Sequence, residues 1–173
     1  MKILKKIVYL FLIVSVPVFT SCDEGGDPDK VMTTTGSFAG DWFITARDSD
    51  GNPIPGVPDN ALHSTYNTAA NDNTMWMDDH TNSYEIKSKF TIDTASGLFS
   101  SVDSPNFYDV DEDNVPQSTT TITEGQIIRG GATSKGGHTV DKITFRVHYS
   151  YDPAGYDIVY EGHKRTGFAE DEY

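Results

Sequence analysis

From Ile143 to Tyr151 every odd residue is apolar or aromatic and every even one is polar. A period of two held this long marks a strand with one face in a core and the other in water. Asp152-Pro153-Ala154-Gly155 follows. Proline presets φ and glycine supplies a positive φ, so the chain turns back there. The return arm carries Tyr156, Ile158 and Tyr160 on one face and Asp157, Val159, Glu161 and His163 on the other. Ser83–Asp93 repeats the pattern, with Tyr84, Ile86, Phe90 and Ile92 on one side and only Ser88 among them. Asp41–Arg47 reads as a first strand with Trp42, Ile44 and Ala46 inward. Shorter strands are expected over 62–68, 74–79 and 98–102, a longer one over 119–129, and an irregular acidic loop over 103–118. No segment has the period of an amphipathic helix. The class is all-β: an antiparallel up-and-down meander of about eight strands, which closes best as a small barrel because closure removes exposed edges. A two-sheet sandwich is the alternative.

The shared inward face of these strands gives the candidate interior: Trp42, Ile44, Tyr84, Ile86, Phe90, Ile143, Phe145, Tyr149, Ile158 and Tyr160. A barrel of this size is either filled by such side chains or holds one small ligand. Tyr84, Tyr149 and Tyr160 carry the most information, since a buried phenol needs a hydrogen-bond partner that a ligand head group can supply.

The N-terminus reads as an address. Lys2, Lys5 and Lys6 precede an apolar run from Ile7 to Val18, too short to span a bilayer and laid out as a secretory signal over residues 1–21. Ser21-Cys22, with the chain's single cysteine, resembles the lipobox of bacterial lipoproteins, in which the cysteine is acylated. Phe19 stands where that motif usually has leucine. Acylated Cys22 would anchor the protein to the outer membrane, with a surface-exposed position as one outcome. Residues 22–35 read as an acidic flexible tether, and 36–173 as one domain. Removing the signal takes three of the 13 basic residues and none of the 26 acidic ones, leaving 10 against 26, a formal charge of −16. Such a chain is repelled by nucleic acid, which excludes it as a partner.

Candidate chemistry is sparse. Asp48–Pro53 and Asp109–Asn114 have aspartates in calcium-loop style, but neither completes a ligand set, so both read as turns. The glycines of 130–137 lack P-loop spacing and read as a flexible loop. Histidines 63, 80, 138, 148 and 163 are scattered without metal-ligand spacing, and no Gly-x-Ser-x-Gly elbow is present. No metal or cofactor is expected. His63-Ser64, and His80 beside Asp78 and Asp79, would form a triad only if the fold brought them together. Trp76 and Phe107-Tyr108 are candidate aromatic patches for a partner, and His148 and His163 meet only if the hairpin register allows.

Two resemblances rest on particular residues. Gly40-Asp41-Trp42 resembles the Gly-x-Trp of calycins, whose tryptophan plugs the closed end of the barrel beneath an arginine from near the last strand. That likeness implies a Trp42–Arg165 pair. Tyr66–Asp72, Met75–Asp79 and Gly162–Phe168 together resemble a family of Bacteroidetes lipoproteins described as lipid-binding putative hydrolases with a calycin-like barrel. The resemblance implies a barrel that takes a lipid or other hydrophobic small molecule, and it carries no catalytic residues with it. The expectation is thus a non-catalytic, lipid-anchored envelope protein. A hydrolase acting on lipid esters, and an accessory role beside other envelope proteins in nutrient uptake, are the alternatives.

Overall fold

The computed structural model describes residues 33–173; the signal, Cys22 and most of the tether lie outside them. Eight antiparallel strands, β1 (Gly40–Asp48), β2 (Ala61–Asn67), β3 (Thr74–Asp78), β4 (Lys87–Ile92), β5 (Leu98–Pro105), β6 (Thr119–Thr133), β7 (Thr139–Tyr149) and β8 (Ile158–Lys164), pair in chain order. β8 pairs with β1, so the sheet closes as an up-and-down barrel and the sandwich alternative falls away.

The connections differ at the two ends. Short turns at 68–73, 93–97 and 134–138 close one end, while 49–60, 79–86, 106–118 and 150–157 crowd the other. The first end is plugged. A short 3-10 helix, Gly36–Phe38, puts Phe38 against the core. The Trp42 indole N–H donates to Thr65 Oγ1 at 2.9 Å, and the Thr65 hydroxyl donates to the Phe38 carbonyl at 2.7 Å. The chain joins the fold slightly before residue 36: Thr34 bonds twice to Asn71, and Thr35 is buried.

The cation over Trp42 is Lys164, at 5.6 Å, and not Arg165, which lies beside Phe43 at 6.0 Å. Strand parity is the reason. Trp42 and Lys164 face each other across β1 and β8 and so share a face of the sheet, whereas Arg165, one residue on, turns to the outside and pairs with Glu172. Gly40 makes the contact possible, because a Cβ there would sit 2.7 Å from Lys164 Cε.

Two strands depart from the simple alternation. Ile122 and Ile127 are both buried although their positions differ in parity, which in a regular strand puts them on opposite faces. A bulge at Glu124 (φ 54°) and Gly125 restores the inward face, and a Cβ on Gly125 would strike the Phe99 carbonyl. The strand expected from Ser83 begins only at Lys87, because Glu85 has φ 61° and leaves the ladder. Asn106 fills the gap there, accepting the Lys87 N–H and donating to the Glu85 carbonyl. β6 also continues through the glycines at 130–131 that had read as loop.

Both aspartate-rich stretches are turns held by their own carboxylates. Asp48 Oδ1 accepts the N–H groups of Asp50 and Asn52, and Asp111 Oδ1 accepts those of Asp113 and Val115.

Candidate functional site at the barrel mouth

Of the expected interior residues, Trp42, Ile44, Ile86, Phe90, Ile143, Phe145, Tyr149, Ile158 and Tyr160 are buried inside the barrel. They fill its centre, together with Met75 and Met77 from β3, which the sequence pattern had not singled out. Phe145 and Tyr160 face each other across β7 and β8 with rings parallel at 4.6 Å. Tyr84 is placed differently. It belongs to the 79–86 loop and lies over the mouth, edge-on to Tyr149 at 5.0 Å, with its hydroxyl donating to Asp152 Oδ1 at 3.2 Å. Tyr151 stacks on Tyr149 beside it at 5.3 Å. The two rings form an aromatic cover flanked by hollows of about 350 and 310 Å³ that share Glu85 and Tyr151.

Beneath the cover the core turns polar. The Tyr149 and Tyr160 hydroxyls bond each other at 2.6 Å, and burial pushes both phenols well above their ordinary pKa. His63, which alternation on β2 turns inward, lies edge-on to Tyr160 at 5.9 Å and is fully buried. Its Nδ1 faces the Ala61 carbonyl at 3.0 Å, and because a carbonyl only accepts, Nδ1 carries the proton. Nε2 is then a bare lone pair, buried and without a partner. Burial holds the imidazole down to about 4, so it is neutral at pH 7. Thr120, opposite Tyr149 in the register, also has a buried hydroxyl without a partner. Asp79 is fully buried at the same end and accepts the N–H groups of Thr81 at 2.9 Å and Glu85 at 2.8 Å. Burial raises its carboxyl to about 6.

A second cluster forms on the outside of β2 and β3. Ser64 Oγ lies 2.8 Å from His80 Nε2, and His80 Nδ1 lies 3.7 Å from Asp78 Oδ1. The three residue types of a hydrolytic triad therefore do meet. Proton accounting runs against their acting as one. The single Ser64 proton goes to Asp41 Oδ1 at 2.6 Å, so His80 Nε2 must donate to Ser64 rather than accept from it. A general base needs the reverse. Asp78 is occupied as well. Burial pulls its carboxyl up, but donors on Tyr108, the His80 backbone, Lys87 and Tyr66 outweigh that and hold it at about 2.

The remaining histidines stand apart. His163 faces Lys142, His148 sits by Asp157 at the other end of the hairpin, and His138 binds Asp171 at 2.9 Å. Trp76 lies on the outer face beneath Lys89 and edge-on to Phe107 at 5.3 Å. A groove of about 880 Å³ runs along the outside of β1, β8 and β7, where Arg47, Lys142 and Arg146 are each paired with a carboxylate.

Sequence reasoning missed His63 as an interior group and the bare atoms around it. The signal was present, since His63 alternates with Ala61 and Thr65, but a seven-residue strand with one strong apolar position gives no sign of which face is inward.

No curated protein matches the chain. The model of one protein family, described as "lipid-binding putative hydrolase", matches residues 27–169, and with most of its length inside that match the chain belongs to this family.

Proposed function

We propose that this protein is a lipid-anchored envelope protein that takes a hydrophobic small molecule or lipid through the long-loop end of its barrel and does not transform it. The observation that carries the reading is the bare Nε2 of His63, buried beside the Tyr149–Tyr160 pair under the aromatic cover of Tyr84 and Tyr151. A buried polar atom without a partner costs free energy, and a ligand head group would recover it. The fill of the centre means that the ligand must displace side chains. Tyr84 and Tyr151 are the ones placed to move, and the flexible thioethers of Met75 and Met77 can repack below them. Lipid binding is in keeping with the family. Lys2, Lys5, Lys6, the apolar run and Ser21-Cys22 support the anchor and the envelope location.

Native mass spectrometry of the intact protein after incubation with a mixed lipid extract tests the binding. A stoichiometric adduct is expected, and a bare mass overturns the reading. Replacing Cys22 by alanine should move the protein from the membrane fraction to the soluble one. Hydrolysis of a p-nitrophenyl ester that disappears in Ser64→Ala would overturn the non-catalytic part.

A further inference from the structure

We infer that the mouth site selects an uncharged head group bearing a hydrogen-bond donor, as in a long-chain alcohol or monoacylglycerol, and rejects a carboxylate or phosphate. The inference deepens the lipid-binding reading and rests on it.

The unspent polar atoms set the requirement. His63 Nε2 can only accept, because Nδ1 holds the ring's proton against the Ala61 carbonyl. The tyrosine pair has two hydroxyl protons, and the single 2.6 Å bond between them uses one. One O–H is therefore left to donate, and the Thr120 hydroxyl beside Tyr149 is also free. A ligand hydroxyl satisfies both kinds of atom at once, donating to Nε2 and accepting from the spare phenol proton. A carboxylate only accepts, so it leaves the Nε2 lone pair bare and sets a negative charge against it.

Charge points the same way. Asp79 is buried at this end, and its charge pushes the Tyr149 and Tyr160 phenols further up. Asp152 holds the Tyr84 hydroxyl through one carboxylate oxygen while the other is buried and unpartnered, and Glu85 borders both hollows. Two cations that an anionic head group would seek are spent elsewhere. Lys87 pairs with Asp78 at 3.0 Å on the outside, and Lys164 lies over Trp42 at the plugged end. An anion buried beside carboxylates with no cation pays its full desolvation cost.

The test compares 1-dodecanol with dodecanoate on the intact protein at about pH 8, by displacement of a fluorescent apolar probe. The two ligands share a tail length and differ in charge and donor. The alcohol should bind at least about tenfold more tightly, as one good hydrogen bond gained and one charge clash avoided imply. His63→Phe should reduce that preference several-fold, leaving the share due to the carboxylates, while binding of the tail persists. Should that variant fail to fold, dodecyl methyl ether on the wild type reads the same contact, since it accepts from the phenol but cannot donate to Nε2 and should bind several-fold more weakly than the alcohol. Dodecanoate binding as tightly as the alcohol overturns this inference and leaves the lipid-binding reading standing. Binding of neither ligand overturns both. An alcohol preference unchanged in a folded His63→Phe protein, or an ether that binds the wild type as tightly as the alcohol, overturns the assignment to His63.

Discussion

His63→Phe also isolates what the buried imidazole does to stability. The imidazole sits in the fold at about 4 rather than 6.5, chiefly because burial penalises its charged form. Between those values the unfolded chain binds a proton that the folded chain refuses, so the wild type gains stability as pH rises through the window. At about 1.36 kcal/mol per pH unit the full effect is about 3 kcal/mol, most of which falls between pH 4.5 and 7.5. The wild type alone will not display this cleanly. Asp79, raised by burial to about 6, is protonated more readily in the fold and makes stability fall as pH rises from 3.8 to about 6. The two limbs oppose each other over most of the same range. Phenylalanine keeps the ring and removes the proton site, while Asp79 is common to both proteins, so the difference between them isolates His63. The assay is urea unfolding of both proteins at about pH 4.5 and pH 7.5, with the stability difference taken at each. Relative to the variant, the wild type should lose about 2–3 kcal/mol at the lower pH. A difference that is the same at both pH values would refute the reasoning, because it would mean that His63 takes up its proton in the folded state.

Other consequences can be read in the same way. Tyr149→Phe should cost about 1–3 kcal/mol by stranding the Tyr160 hydroxyl, while Tyr149→Phe with Tyr160→Phe should cost no more than the single change, since it removes both partners; a simple sum of two equal losses in urea unfolding would contradict the pairing. Gly162→Ala should abolish folding or lower stability by more than about 2 kcal/mol, as its Cβ would lie 2.2 Å from the Phe43 carbonyl and 2.8 Å from Ile44 Cα; a circular-dichroism melt within a few degrees of wild type would show that β1 and β8 can part without penalty. Asp78, held at about 2 in the fold against 3.8 unfolded, contributes about 2 kcal/mol that is present above pH 3.8 and lost as pH falls toward 2; Asp78→Asn should flatten that part of the acid-unfolding curve, and an unchanged curve would place its donors elsewhere.

By itself the sequence determined the architecture and the interior. Alternation in 143–151, 156–160 and 41–47 places Trp42, Ile44, Phe145, Tyr149, Ile158 and Tyr160 inside, because a one-residue slip would turn each of those strands inside out and expose its apolar set. Turn chemistry at Asp152–Gly155 and at Asp48–Gly51 was equally legible, since it depends on φ and on carboxylates reaching their own backbone. Where the pattern failed, a residue with positive φ had intervened: Glu85 cut the expected strand short, and Glu124 shifted the inward face of β6.

Only the tertiary structure decided the rest. That Lys164 and not Arg165 lies over Trp42 follows from the β1–β8 register, which links residues more than a hundred positions apart. The meeting of Ser64 and His80, and the Asp41 contact that takes the serine's proton, depend on how β2 sits between its neighbours. The bare Nε2 of His63 belongs to the same class. A residue's type states what it can donate or accept, but whether a partner is in reach is settled by strands distant in the chain, and no local pattern carries that information.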